Sequence, residues 1–224
     1  MKYIIGVDIG TSGTKAVALS HEGEILGNAY HSYDPVETEP DRHELDPGLL
    51  YKAFNAAVGD VLKMLGGKAD LTAISLSSAM HSLVLIGSDD KPLTNLITWA
   101  DLRSRGQAQR LKATDEGMDI YRLSGTPIHP MTPLCKIMWF RENEAGLFAK
   151  TARFISIKEY ILFQLTGKYI VDYSIASATG LFDIYSLAWN SKALRVAGIS
   201  AGQLSEAVTT THAEKLVLFK VGYF

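Results

Sequence analysis

The first thirty residues admit few folds. Tyr3 to Ile9 is a β-branched, apolar run, Gly10 to Gly13 is turn material, and Thr14 to Leu19 reads as strand again. A second turn at His21-Glu22-Gly23 leads into Glu24 to Ala29. Neighbouring strands joined by such short turns pair antiparallel, so the chain opens as a three-stranded antiparallel meander. A parallel fold built of strand-helix-strand units does not begin this way.

Beyond a polar stretch containing Pro35, Pro40 and Asp46-Pro47, the apolar residues Leu50, Ala53, Phe54, Ala57, Val58, Val61, Leu62 and Leu65 recur at helical spacing and stop at Gly66-Gly67. Leu71 to Ser77 and Leu83 to Ile86 read as strands, and Arg103 to Ala113 and Phe154 to Leu165 as helices. An α/β architecture on a mixed sheet follows, with element order βββαβα, no internal repeat and no linker-like segment. At 224 residues the chain is long enough for one large domain or for one domain plus a cap.

Composition narrows the partners. Hydrophobic residues are 47% and charged residues 21%, as in a folded globular domain. A formal charge of −2 with no basic run offers no footprint for nucleic acid or an anionic membrane, which favours a small molecule. The single cysteine, Cys135, forms no internal disulfide and excludes a structural zinc cluster. The start, Met1 to Asp8, is too short and too soon acidic for a signal peptide, and no apolar run spans a bilayer, so a cytoplasmic location is expected.

The strongest chemical signal lies across the first turn, Asp8-Ile9-Gly10-Thr11-Ser12-Gly13-Thr14-Lys15. Glycines at both ends let the backbone turn with positive φ and approach a ligand, presenting successive N–H groups to anionic oxygens. Thr11, Ser12 and Thr14 add hydroxyl donors, Lys15 adds a positive charge, and Asp8 suits a hydrated Mg²⁺ that bridges phosphates. This is not a Walker A loop, since no GxxxxGK[ST] string precedes a helix. The competing reading is a glycine-containing hairpin with solvated hydroxyls.

The meander with Asp8-x-Gly10-Thr11-x-x-Thr14-Lys15 resembles the first phosphate motif of the actin, hexokinase and Hsp70 ATPase superfamily, a ribonuclease H-like fold with helices on both faces of the sheet. Four further strings resemble the FGGY carbohydrate kinases, and their gluconate kinases above all. They are Ser77-Ser78-Ala79-Met80-His81-Ser82, Ile97-Thr98-Trp99-Ala100-Asp101-Leu102-Arg103-Ser104, Gly125-Thr126-Pro127-Ile128-His129-Pro130-Met131 and Ile157-Lys158-Glu159-Tyr160. The match runs to about Thr211, and its specificity lies in the joint order of the strings.

The resemblance implies a sugar site at Met80 and His81, which follow a strand and emerge at its carboxyl end. Read as an extended segment, Trp99, Asp101 and Arg103 alternate onto one face: an indole for a sugar's apolar side, a carboxylate for hydroxyls, and a guanidinium for a substrate carboxylate. A surface Asp/Arg pair beside a core tryptophan is the alternative. His129, in a proline-stiffened loop, could meet the same carboxylate. By resemblance Asp172 lies beside the cleft, though helix capping explains it as well. Cys135 and Trp139 read as core packing, and Lys136 between them has no settled role.

The implied cofactors are ATP and Mg²⁺, and the implied reaction is phosphorylation of a sugar acid, D-gluconate giving 6-phosphogluconate. The resemblance also places the catalytic base in a Gly-Gly-Asp string, and the adenosine-binding loops in a second lobe. Neither is in this chain, so residues 1–224 read as the N-terminal lobe of a two-lobe enzyme, expected alone to release no ADP in a coupled assay. The run Glu214 to Phe224 reads either as the sign of an early stop or as a docked terminal strand. A different FGGY substrate such as xylulose, a chaperone-like ATPase of the same superfamily, or a binding-only fragment stand as alternatives. A homodimer is left open.

Overall fold

The computed structural model describes residues 2–36, 39–66 and 70–216. Strands β1 (Lys2–Ile9), β2 (Gly13–Ser20) and β3 (Ile25–Ser32) form the meander, and a short β4 (Glu44–Leu45) precedes helix α1 (Pro47–Leu65). Strand β5 (Asp70–Ser78) then pairs parallel with β1, so the sheet runs β3-β2-β1-β5 and is mixed. The crossover through α1 is what makes that parallel pairing reachable.

Helix α1 is delimited by its own sequence. Asp46 caps it by accepting from the Gly48 N–H, Pro47 fills the first turn, and Gly66 ends it at φ 61° with its N–H on the Leu62 and Lys63 carbonyls. Lying chiefly over β3 and β2, it shares one core, through Leu50, Phe54, Val58 and Val61, with the alternate β1 residues Tyr3, Ile5, Val7 and Ile9. Each such side chain removed from water contributes about 1.5–3 kcal/mol. The same alternation sends Asp8 and its cross-strand partner Lys15 to the other face, where both are exposed.

The second half of the chain builds a mostly helical layer. It comprises β6 (Val84–Ile86), β7 (Leu96–Ile97), α2 (Arg105–Lys112), α3 (Asp115–Ser124), α4 (Pro133–Asn143), α5 (Ala145–Lys150), β8 (Arg153–Ile155) and α6 (Ile157–Thr166). After these come β9 (Ile170–Asp172), α7 (Tyr173–Ser177), β10 (Phe182–Asp183), β11 (Ala188–Trp189), α8 (Ser191–Ala197) and β12 (Glu206–Val208). Strands β6 and β8 pair antiparallel between two cores. Val84, Ile86 and Ile155 face the meander core, while Leu83, Leu85 and Phe154 face the helical one.

One expectation is corrected. Phe154 and Ile155 are strand rather than helix, because the capping box of Ser156 and Glu159 starts α6 only at Ile157. Of the tail, Glu214 to Leu216 form no strand, and residues 217–224 lie outside the described residues.

Candidate active site

The first turn closes tightly. Gly10 N–H donates to the Gly13 carbonyl at 3.0 Å, Tyr33 Oη donates to the Gly10 carbonyl at 2.6 Å, and Tyr30 Oη to the Ser12 carbonyl at 3.2 Å. With those carbonyls turned inward, no acceptor among the described residues takes the N–H of Thr11 or Ser12. Asp8, Ser12 and Lys15 are exposed around them. Free amides, a hydroxyl and an ammonium on one exposed turn beside a carboxylate are the groups that anion binding asks for. Among the described residues no cluster of three or more His, Cys, Asp or Glu could cage a metal. A divalent ion here would lean on Asp8 and on phosphate oxygens.

Two parts of the sequence reading of this turn are corrected. Gly10 and Gly13 do not have positive φ. A Cβ at Gly13 would stand 2.3 Å from Tyr30 Oη and displace that side chain, and at Gly10 one would stand 3.1 Å from the Gly13 carbonyl. Thr14 is fully buried, 3.4 Å from Tyr33 Oη, because the pleat that exposes Lys15 turns its neighbour into the core. Its hydroxyl faces away from the anion side.

The next string reaches the same place through the sheet. Asp8 is in register with Ser77 of β5, and Ala79 N–H donates to the Ile9 carbonyl at 2.8 Å, so Met80 and His81 leave β5 beside the turn. Met80 is exposed. His81 sits at φ 61°, a left-handed conformation costly for a residue with a Cβ. Its Nδ1 lies 2.7 Å from the Ala178 carbonyl. A carbonyl only accepts, so Nδ1 carries the proton and Nε2 keeps a lone pair free for a hydroxyl.

Burial pulls the His81 pKa below its ordinary 6.5, against the Ala178 bond and with help from Lys136 and His129. On acidification below 6.5 the unfolded chain takes up a proton that the folded chain resists, so stability falls as pH falls through that window. Asparagine tolerates left-handed backbone, so His81→Asn is the matched variant. The difference in thermal midpoint between wild type and His81→Asn is expected to shift against the wild type from about pH 7.5 to about 5.5. A pH-independent difference would show that His81 takes up its proton over the same pH range in the folded and unfolded chain.

The Trp99 string is not extended. A turn closed by Asp101 N–H on the Thr98 carbonyl leaves Trp99 53% exposed and Asp101 0% exposed. Asp101 accepts from the backbone N–H of His43 (3.0 Å) and of Arg103 (3.1 Å), and from Arg103 Nε (2.8 Å) and Nη2 (2.7 Å). Arg103 Nη2 also donates to Glu44, and its guanidinium lies over Trp139 at 5.2 Å. Desolvation works against the Arg103 charge, yet bonds to Asp101 and Glu44 raise its pKa overall. Asp101 is therefore wholly buried with both oxygens engaged, and the Nε and Nη2 of Arg103 are committed to Asp101 and Glu44, which leaves Trp99 as the exposed member of the string.

His129 is exposed, its Nδ1 accepting from the Met131 N–H at 3.1 Å. Asp172 follows its capping alternative: Oδ1 accepts from the N–H of Ser174 and Ile175 at the start of α7, and Oδ2 pairs with Lys158 at 2.5 Å. Its carboxylate thus serves the start of α7 and the Lys158 ammonium. Cys135 is buried as expected. The residues the sequence did not reveal are Glu44, Tyr33 and Lys136. Lys136 is wholly buried, and desolvation lowers its pKa to about 7 against the pull of Asp101.

A family model described as the N-terminal domain of the FGGY family of carbohydrate kinases matches residues 3–218. Gluconokinase from Bacillus subtilis (strain 168) is 42% identical over 209 residues, 93% of this chain and 40% of that protein. Among solved structures, gluconate kinase from Lactobacillus acidophilus superposes with a TM-score of 0.89 at 38% identity, covering 92% of this chain and 42% of that one. A ligand-bound xylulose kinase from the same organism gives the same TM-score and identity, covering 93% and 42%. The chain thus spans about two fifths of the length of the relatives it matches.

Proposed function

Because the chain belongs to the FGGY family of carbohydrate kinases and has their actin- and hexokinase-like ATPase fold, we propose that it grips the terminal phosphate of ATP and a sugar acid side by side. The whole reaction would be ATP + D-gluconate giving 6-phosphogluconate + ADP. The observation that carries this reading is the pairing of β1 with β5, which brings the Thr11/Ser12 amides and the Met80/His81 loop to the carboxyl ends of adjacent parallel strands. Phosphoryl transfer asks chiefly for such positioning and for neutralised charge.

In this reading the Thr11 and Ser12 amides and Lys15 hold the transferred phosphoryl oxygens. Asp8 would hold a hydrated magnesium ion, which when bound offsets phosphate charge. Trp99 stacks on the apolar side of the sugar, His81 Nε2 accepts from a hydroxyl, and His129 meets the carboxylate. The proton leaving the attacking hydroxyl needs a base outside this set.

Gluconate is favoured by the 42% identity to a gluconokinase, and xylulose is the second reading because a xylulose kinase superposes equally well. Calorimetric titration of this chain with gluconate, xylulose and glycerol tests the choice. Gluconate is expected to bind most tightly; tighter binding of the neutral ketose would remove the acid-specific role of His129.

A further inference from the structure

Lys136 has no exposed surface, and its three hydrogen bonds go to three separate loops. Nζ donates to the carbonyls of His81 at 2.6 Å, Thr98 at 2.8 Å and Met131 at 2.8 Å. Those carbonyls lie in the loop after β5, in the turn carrying Trp99, and in the loop carrying His129. Every side chain proposed to touch the sugar therefore hangs from a loop that Lys136 holds. An ammonium offers three N–H donors around one point, which three converging carbonyls satisfy; a planar guanidinium cannot.

Stability alone does not explain the residue. No carboxylate among the described residues contacts Nζ directly, and burying a cation costs more than burying an apolar side chain of similar volume. The anchor is firm: Leu134, Cys135 and Ile137 beside it in α4 are fully buried. We propose that Lys136 is a positioning residue, its ammonium fixing the mutual spacing of the three loops that bear Met80, His81, Trp99 and His129. This rests on the reading of that surface as the sugar site.

The test is Lys136→Met in the 224-residue chain, followed by amide hydrogen exchange and gluconate titration. Exchange is expected to quicken together at 79–82, 98–103 and 128–132 while the meander keeps its protection, and gluconate affinity is expected to fall roughly tenfold or more, as misplacement by a fraction of an ångström does. Unchanged exchange in those loops, or a uniform rise everywhere, would overturn the role. Should Lys136→Met fail to fold, Lys136→Arg keeps the charge but not the three-fold geometry and is expected to loosen the same loops; wild-type exchange and affinity in that variant also overturn it. If the wild-type chain binds no sugar acid, the sugar-site reading falls separately, and loop exchange still decides whether Lys136 spaces the loops.

Discussion

Asp101→Ala is expected to lower the unfolding free energy by about 3–5 kcal/mol, the cost of leaving a buried cation without its partner. Arg103 loses three contacts to Asp101 and keeps Glu44 as its one carboxylate among the described residues, while the His43 N–H loses its acceptor. Lys136, whose charge Asp101 helps to sustain, is left less compensated as well. Urea denaturation followed by circular dichroism measures the change. A loss below about 1 kcal/mol, the range of an exposed ion pair, would mean that water reaches the cluster and that the turn bearing Trp99 is held by something else.

Asp8→Asn is expected to do the reverse: leave the fold intact and remove function. Asp8 is exposed at the end of β1, and surface substitutions of this kind stay within about ±0.5 kcal/mol. In a chimera joining this chain to the unmatched remainder of the Bacillus subtilis gluconokinase, the substitution is expected to cut kcat roughly 10²–10³-fold. Gluconate affinity should hold, because in the proposed reading Asp8 serves the magnesium ion and makes no contact with the sugar. A kcat within threefold of the parent chimera would discard Asp8 as the magnesium residue, and a matching loss of gluconate affinity would show that it positions sugar instead.

What could be read from the residues followed short-range rules. The meander, α1 and its Gly66 stop are set by alternation, helical spacing and caps, and the ordered strings led to the family, which sets aside the chaperone-like alternative. What escaped was set by tertiary contact. Thr14 looked like an anion donor because the string contains it, but strand parity turns it inward. Asp101 and Arg103 looked like free recognition groups, yet Asp101 itself draws the chain into a turn by taking His43 and Arg103, and His43 is 58 residues away. Helix α4 is buried nearly all round, with Leu134, Cys135, Lys136, Ile137, Met138 and Phe140 inside, so it shows no polar face to betray it. A charged residue within such a helix was the available hint of Lys136.

The β6–β8 ladder contributes alternate side chains to the cores on either side of it. It works as a weld: neither half can loosen without stripping apolar cover from strands that the other half also needs. The two halves should therefore melt as one cooperative unit. On the proposed reading, the phosphate turn and the sugar loops would then travel together, and any closing stroke would bring something else onto them.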